Sequence, residues 1–207
     1  MIGRDQVALE KNKKTCSWLG AYGIVPHLAQ MVGASNILEI GVAYGYHADF
    51  LCTVMPNIQY VGVDPYLANY DIDDIFSKDV QRLFDEKDPQ QAMDRLFNIV
   101  SSNLLEFDGR AKLLRKKSWD TAVHFQDKSL DLVYIDGDHT FEGVMKDLET
   151  WFPKVRKGGI ICGDDIGWPG GSVKKAVDEF FIRLGKEYQI ISKNGFENMP
   201  AFYYIIE

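Results

Sequence analysis

Short apolar, β-branched runs alternate with helix-period runs along this chain, and no other feature limits its fold as tightly. "ILEI", residues 37–40, leaves through Gly41 toward a helical pattern over 46–55, and "IQYVGVDPY" and "AKLLR" follow as further strands. A helix is expected over 119–125, and then comes "LDLVYID", a fourth strand. In "TFEGVMKDLETWF", Phe141, Val144, Leu148 and Trp151 share one helical face, and Gly158 with Gly159 is expected to turn the chain into a fifth strand, "GIICGDD". Near the end, "YQIISKNGFENMPAFYYIIE" holds two β-rich runs with no helix between them, which predicts an antiparallel hairpin. Sustained strand-helix alternation requires a parallel sheet covered on both faces. The fold class is therefore α/β: a doubly wound, Rossmann-like, mostly parallel seven-stranded sheet closed by that hairpin, with helices on both faces.

One connection is longer than a crossover needs. Between Asp64 and Ala111 lie two helical patterns, one through Ile72, Ile75, Phe76, Val80 and Phe84, the other through Met93, Leu96, Val100 and Leu104. The segment 66–105 thus reads as a helical insertion and a candidate lid, with Tyr66 and Tyr70 as its aromatic members. The segment 1–35 reads as an N-terminal helical piece of the same single domain, 1–207. A chain of 207 residues, 46% of them hydrophobic, buries a core without disulfides, and Cys16, Cys52 and Cys162 suit a reducing compartment. Its net charge of -7 is the wrong sign for a nucleic-acid groove, and no apolar run reaches the ~18 residues of a membrane span. A cytoplasmic protein acting on a small molecule is expected, with a homodimer left open.

In a parallel sheet the carboxyl ends of the strands share one edge, where ligands bind at the point of strand-order reversal. Glu39 and Gly41 leave the first strand there, Asp64 the second, Asp136 the fourth, and Asp164 with Asp165 the fifth. So many carboxylates on one edge repel unless cations or hydroxyl-rich ligands share the site. Gly41 and Gly45 flank Val42, Ala43 and Tyr44 in a strand-to-helix turn, and Asp64 follows Gly41 by 23 residues, where a carboxylate can accept two hydrogen bonds from a ribose. An adenosine-bearing ligand is the expectation. A nicotinamide dinucleotide is the alternative, but its G-x-G-x-x-G fingerprint needs glycine where Ala43 and Tyr46 stand.

The stretch "EIGVAYG" resembles the first motif of class I S-adenosylmethionine-dependent methyltransferases, with Ala43 in place of the middle glycine. The resemblance runs over about residues 36–207. It implies that Glu39 and the loop Gly41, Val42, Ala43, Tyr44 and Gly45 hold the methionine part, Asp64 the ribose, and Ser118 with Trp119 the adenine, with Asp136 beside the cofactor. "YIDGDHTFEGVMKDLETWFPKVRKGGIICGDD" is similar to the metal-dependent O-methyltransferases of the macrocin and catechol types. That second resemblance implies Mg2+ or a similar divalent cation on Asp136, Asp164 and Asp165, and a hydroxyl of a sugar or phenol as methyl acceptor. The hydroxyl must lose a proton, and imidazole is suited to take it, which makes His139 the candidate base and Asp138 its rival. A nicotinamide-dependent oxidoreductase and a cofactor-binding module without turnover are the competing functions.

Overall fold

The computed structural model describes residues 3–16, 22–70, 75–193 and 196–207. In chain order the elements are α1 (Arg4–Thr15), α2 (Ile24–Val32), β1 (Asn36–Ile40), α3 (Tyr46–Val54), β2 (Gln59–Val63), α4 (Ile75–Phe84), α5 (Pro89–Leu104) and β3 (Ala111–Leu114). They continue as α6 (Ser118–Thr121), β4 (Leu130–Ile135), α7 (Phe141–Trp151), β5 (Val155–Gly163), α8 (Ser172–Leu184), β6 (Gln189–Lys193) and β7 (Phe196–Ile205).

Seven strands form one sheet in the order β3-β2-β1-β4-β5-β7-β6. The pairs among β1 to β5 are parallel, and β7 runs antiparallel to both β5 and β6. Strand order reverses between β1 and β4, so the ligand crevice of such a sheet falls over their carboxyl ends. Every residue of β4 is buried, as a central strand with helices on both faces requires. Leu28, Leu51 and Leu96 pack on one face of the sheet, and Leu148, Trp151, Val177 and Phe181 on the other.

The long connection resolves into an ordinary crossover and an addition. Helix α5 buries Ala92, Met93, Leu96, Val100 and Leu104, which makes it the crossover helix between β2 and β3. Helix α4 is the added one, and Ile72, expected to open its pattern, lies outside the described residues. The helix expected over 119–125 divides into α6 and a 3-10 turn over Ala122–His124.

Strand β5 departs from expectation. It begins at Val155 instead of after the glycine pair, because a 3-10 turn over Phe152–Lys154, with Pro153 in its first positions, already reverses the chain. Gly158, at φ +73°, therefore sits inside the strand, where the register against β4 shifts between Leu130 and Leu132. It acts as a bulge, for which a residue free to take positive φ is suited.

One buried carboxylate ties the amino ends of the central strands together. Asp131, within β4, accepts from the backbone N–H groups of Ser35 (2.9 Å) and Asn36 (2.7 Å) and from Arg156 Nε of β5 (2.5 Å). Burial alone would raise its pKa, but these donors outweigh burial and bring it down to about 2. A carboxyl depressed from its unfolded value near ~3.9 contributes stability above that value and loses it as pH falls through the folded pKa. Asp131→Asn is expected to cost about 2–3 kcal/mol at pH 7. The difference from wild type should shrink between about pH 4 and pH 2 in urea titrations, and a pH-independent difference would contradict this role.

Candidate active site

The turn from β1 into α3 is organised by a side chain from the next strand. Asp64 is buried at the exit of β2, and its Oδ2 accepts from the backbone N–H groups of Val42 and Ala43, each at 3.0 Å. Its Oδ1 accepts from Tyr66 N at 2.8 Å. Burial raises the Asp64 pKa even against these three lowering bonds. A carboxylate has about four acceptor positions, so one remains for a ligand hydroxyl. Ala43 stands at φ +48°, and Gly41 and Gly45 at +85° and +75°. The substitution at the middle motif position is therefore held in a left-handed conformation by the Asp64 bond and by Tyr66 Oη, which donates to Ala43 O at 2.8 Å. Tyr66, expected in a lid, is instead fully buried beneath this loop.

Gly41 is where β1 meets the exit of β4. A Cβ there would lie 1.9 Å from the backbone oxygen of Asp136 and 2.7 Å from Gly137 Cα. At Gly45 the same atom would meet a Val100 methyl at 2.6 Å. Both glycines are thus required by close approach as well as by positive φ.

The exits of β4 and β5 are joined by Tyr134. Its hydroxyl donates to Asp164 Oδ2 at 3.0 Å and lies 3.5 Å from Asp136 Oδ2. Burial and those two carboxylates push the Tyr134 pKa well above the usual phenol value, which keeps it a donor. Asp164 Oδ1 accepts from the backbone N–H of Asp165 at 2.7 Å. Asp165 turns the chain at φ +57° and points to the other side, where its Oδ2 lies 2.9 Å from His139 Nε2. The His139 ring stacks on Trp168 with centroids 4.0 Å apart, and Ser172 Oγ donates to His139 O at 2.5 Å. Asp138 is committed elsewhere: its Oδ1 accepts from Thr140 N at 2.7 Å, just before α7, and its carboxylate packs on Gly143.

Two cavities open over this edge. One of about 200 Å³ is lined by Gly41, Ala43, Asp64, Ser118, Asp136 and Asp147, among others. The second, about 740 Å³, is lined by Glu39, Val42, Tyr44, Asp136 and His139 and walled by Tyr22, Phe76, Phe141 and Trp168. Asp136, Asp138 and His139 border both. Glu39 is satisfied from within: its Oε1 lies 2.8 Å from His47 Nδ1, and its other oxygen accepts from Tyr60 Oη.

The two residues expected at an adenine part company. Ser118 faces the smaller cavity, whereas Trp119 lies outside the lining of both cavities and its ring is covered by Lys146 Nζ at 3.7 Å. Consecutive helical residues point about 100° apart, so only one of them can face the crevice.

Among the described residues one group is arranged as cation ligands: Asp136, His139 and Asp165 each offer an atom within 4.8 Å of the others'. The expected trio shares two members with it. Asp164 falls outside the group because its oxygens turn to Tyr134 and to its own neighbour's N–H. Two carboxylates and an imidazole fit a divalent ion, with the nitrogen favouring Mn2+ or Zn2+ over Mg2+. The residues that sequence spacing did not single out are Tyr134, Asp147, Trp168 and Ser172. The Trp168-Pro169-Gly170-Gly171 run, a bulky ring beside turn residues and parted from two aspartates by Ile166 and Gly167 alone, was the available signal for one of them.

Residues 38–166 match a family model described as a methyltransferase domain. Two curated relatives match over shorter stretches. An uncharacterized protein of Sinorhizobium fredii is 26% identical over 72 residues, 35% of this chain and 8% of its own length. An uncharacterized protein of Acanthamoeba polyphaga mimivirus is 32% identical over 73 residues, 33% of this chain and 30% of its own length. The chain thus spans well under half the length of these relatives. Among solved structures, a Bacillus cereus O-methyltransferase in complex with S-adenosylhomocysteine superposes with a TM-score of 0.59 at 15% identity, over 97% of this chain and 90% of that one. A Staphylococcus aureus protein assigned as a caffeoyl-CoA O-methyltransferase gives a TM-score of 0.62 at 16% identity, over 97% and 91%. The apo TDP-rhamnose 3'-O-methyltransferase of calicheamicin biosynthesis gives 0.58 at 16%, over 97% and 80%.

The loop geometry sets opposite outcomes for two alanine-glycine exchanges. Gly41→Ala should destabilise the protein by about 2–4 kcal/mol, since the new methyl collides with backbone and the residue is held at positive φ. Ala43→Gly should be neutral or stabilising by up to about 1 kcal/mol, because it relieves the left-handed strain. Thermal denaturation of both variants checks the pair, and a tolerated Gly41→Ala would contradict the close approach of β1 to Asp136.

Proposed function

Because this chain belongs to the methyltransferase-domain family, we propose that it is an S-adenosylmethionine-dependent O-methyltransferase, assisted by Mg2+ or a similar divalent cation, whose acceptor is a hydroxyl of an unphosphorylated sugar or phenol. The observation that carries this reading is the position of Asp136 and His139, which border both the cavity beside Asp64 and the larger aromatic one. A cofactor in the first cavity and an acceptor in the second would meet over them. The acceptor class follows from charge. Among the described residues no lysine or arginine lines either cavity, while Glu39, Asp79, Asp136, Asp138 and Glu142 line the larger one. Phosphate there would face these carboxylates with no lysine or arginine of the described residues to pair with it. Hydroxyls and aromatic faces suit the Tyr22, Phe141 and Trp168 walls.

His139 is the group to take the acceptor proton, and three contacts hold it: Asp165 at Nε2, Trp168 on one ring face, and Ser172 at its backbone oxygen. Fixing the imidazole in this way favours in-line attack, in which position contributes as much as acidity. Asp138, bonded to Thr140 N before α7, is the weaker candidate base. A divalent cation on Asp136 and Asp165 would supply a lowered hydroxyl pKa. A second reading, in which His139 is the third ligand, is favoured by the 4.8 Å grouping with those two aspartates. The dinucleotide alternative is disfavoured because Asp64 already fills the loop amides that would seat a pyrophosphate.

Radiolabelled methyl transfer from S-adenosylmethionine to pooled phenols and glycosides tests the function, and cofactor binding without transfer to any of them would favour a non-catalytic module. His139→Ala should lose roughly 10²- to 10⁴-fold in rate. If His139 is the base, Mn2+ affinity stays near wild type in that variant, and if it is a ligand the affinity falls with the rate. Full turnover in excess EDTA would contradict the cation, and preference for a phosphorylated acceptor would contradict the acceptor class.

A further inference from the structure

Asp147 lies on α7, 1% exposed, in a place where a carboxylate is expensive. One of its oxygens accepts from the Ser118 hydroxyl, and Ser118 Oγ in turn accepts from Trp151 Nε1 at 2.6 Å. That chain of bonds consumes the Ser118 proton, so the hydroxyl expected to meet a ligand already serves Asp147. The other oxygen, Oδ2, receives no donor among the described residues, and no ion pair reaches Asp147. It is nevertheless not sealed off: among the described residues the one buried side-chain polar atom without a partner is Tyr204 Oη, and Asp147 lines the smaller cavity. Burial, with the nearby Asp138 charge adding to it and Ser118 and Lys146 opposing it, raises the Asp147 pKa to about 7.

A purely structural account does not explain the carboxylate. An asparagine oxygen would accept the Ser118 hydroxyl equally well and would avoid the burial cost of a charge. What aspartate adds is a strong, unpaired acceptor at one wall of a narrow cavity. Asp64 and Asp136 line the same cavity, and Ile40, Val63, Pro65, Leu67 and Met93 give it apolar surface. Apolar surface beside a carboxylate suits a flat heterocycle that carries an amino group on its edge.

We propose that Asp147 reads the purine of the cofactor, its Oδ2 accepting from the exocyclic amino group of adenine. This rests on the adenosine-cofactor reading given under Proposed function, and it assigns specificity to a residue of α7 instead of to the Ser118 hydroxyl. A carboxylate facing the 6-oxo group of hypoxanthine would oppose one acceptor to another. The site should therefore reject a deaminated cofactor.

Calorimetry on the full chain at pH 8, with S-adenosylhomocysteine and with S-inosylhomocysteine, tests this. Wild type should bind the adenine compound at least ~10²-fold more tightly, as sites built around one ligand donor do. In Asp147→Asn, whose amide can turn an N–H toward a keto oxygen, that ratio should fall by at least ~10-fold, with the circular-dichroism melting curve retained. A structural role would weaken both ligands alike and leave the ratio unchanged, which would overturn the proposal. A wild-type ratio near one would overturn it without any variant. If wild type binds neither compound, the cofactor reading itself fails, an outcome separate from S-adenosylhomocysteine binding with an Asp147-independent ratio.

Discussion

A single carboxylate, Asp64, holds the working edge of this protein together. By accepting the amides of Val42 and Ala43 it ties the loop after β1 to the end of β2, and by accepting Tyr66 N it fixes the chain leaving β2. The close pass of Gly41 over the Asp136 backbone comes from the pairing of β1 with β4, which runs to their exits, where Asp136 N donates to Ile40 O at 2.8 Å. The Asp64 bonds decide what the edge can bind. Amides turned inward to a carboxylate offer no seat to a phosphate, while the cavity that Asp64 and Asp136 line suits a neutral ribose.

The acidic residues divide their work by the direction in which each strand exit points. Asp136 and Asp164 share the Tyr134 hydroxyl, so one phenol relieves part of their repulsion. Asp165, turned over by its positive φ, leaves that pair and meets His139. Asp138 goes to the start of α7, and Asp147 to Ser118. Among the described residues, only Asp136, His139 and Asp165 are left in an arrangement that a cation would complete. Like charges gathered this closely need a counter-ion or a hydroxylated ligand, so the electrostatics of the edge and the proposed chemistry agree.

Strand identity and the mostly parallel pairing were legible because a buried parallel strand leaves an unmistakable apolar run, as in "LDLVYI". The gathering of Asp64, Asp136, Asp164 and Asp165 at one edge was legible for the same reason, since each ends such a run. What spacing could not give was side-chain direction. Whether Asp164 or His139 stands beside Asp165 depends on one residue at φ +57°, and Trp119 turns from the crevice because Ser118 takes the inward position on α6. Gly158 looked like a turn, because a glycine pair reads the same whether it reverses a chain or bulges a strand. Asp147 was hidden in a helical pattern, where an acidic residue next to a lysine, here Lys146, ordinarily faces water.

The central claim is that a nucleoside and a divalent ion occupy adjoining spaces with Asp136 between them. Paramagnetic broadening measures this directly: Mn2+ is added to the protein saturated with S-adenosylhomocysteine, and the ligand's proton lines are followed by NMR. Broadening of the ribose and methylene lines in wild type, abolished when Asp136 and Asp165 are both changed to asparagine, is the expected result. Sharp ligand lines in the presence of bound Mn2+ would mean that the two sites are apart, and the account would be wrong.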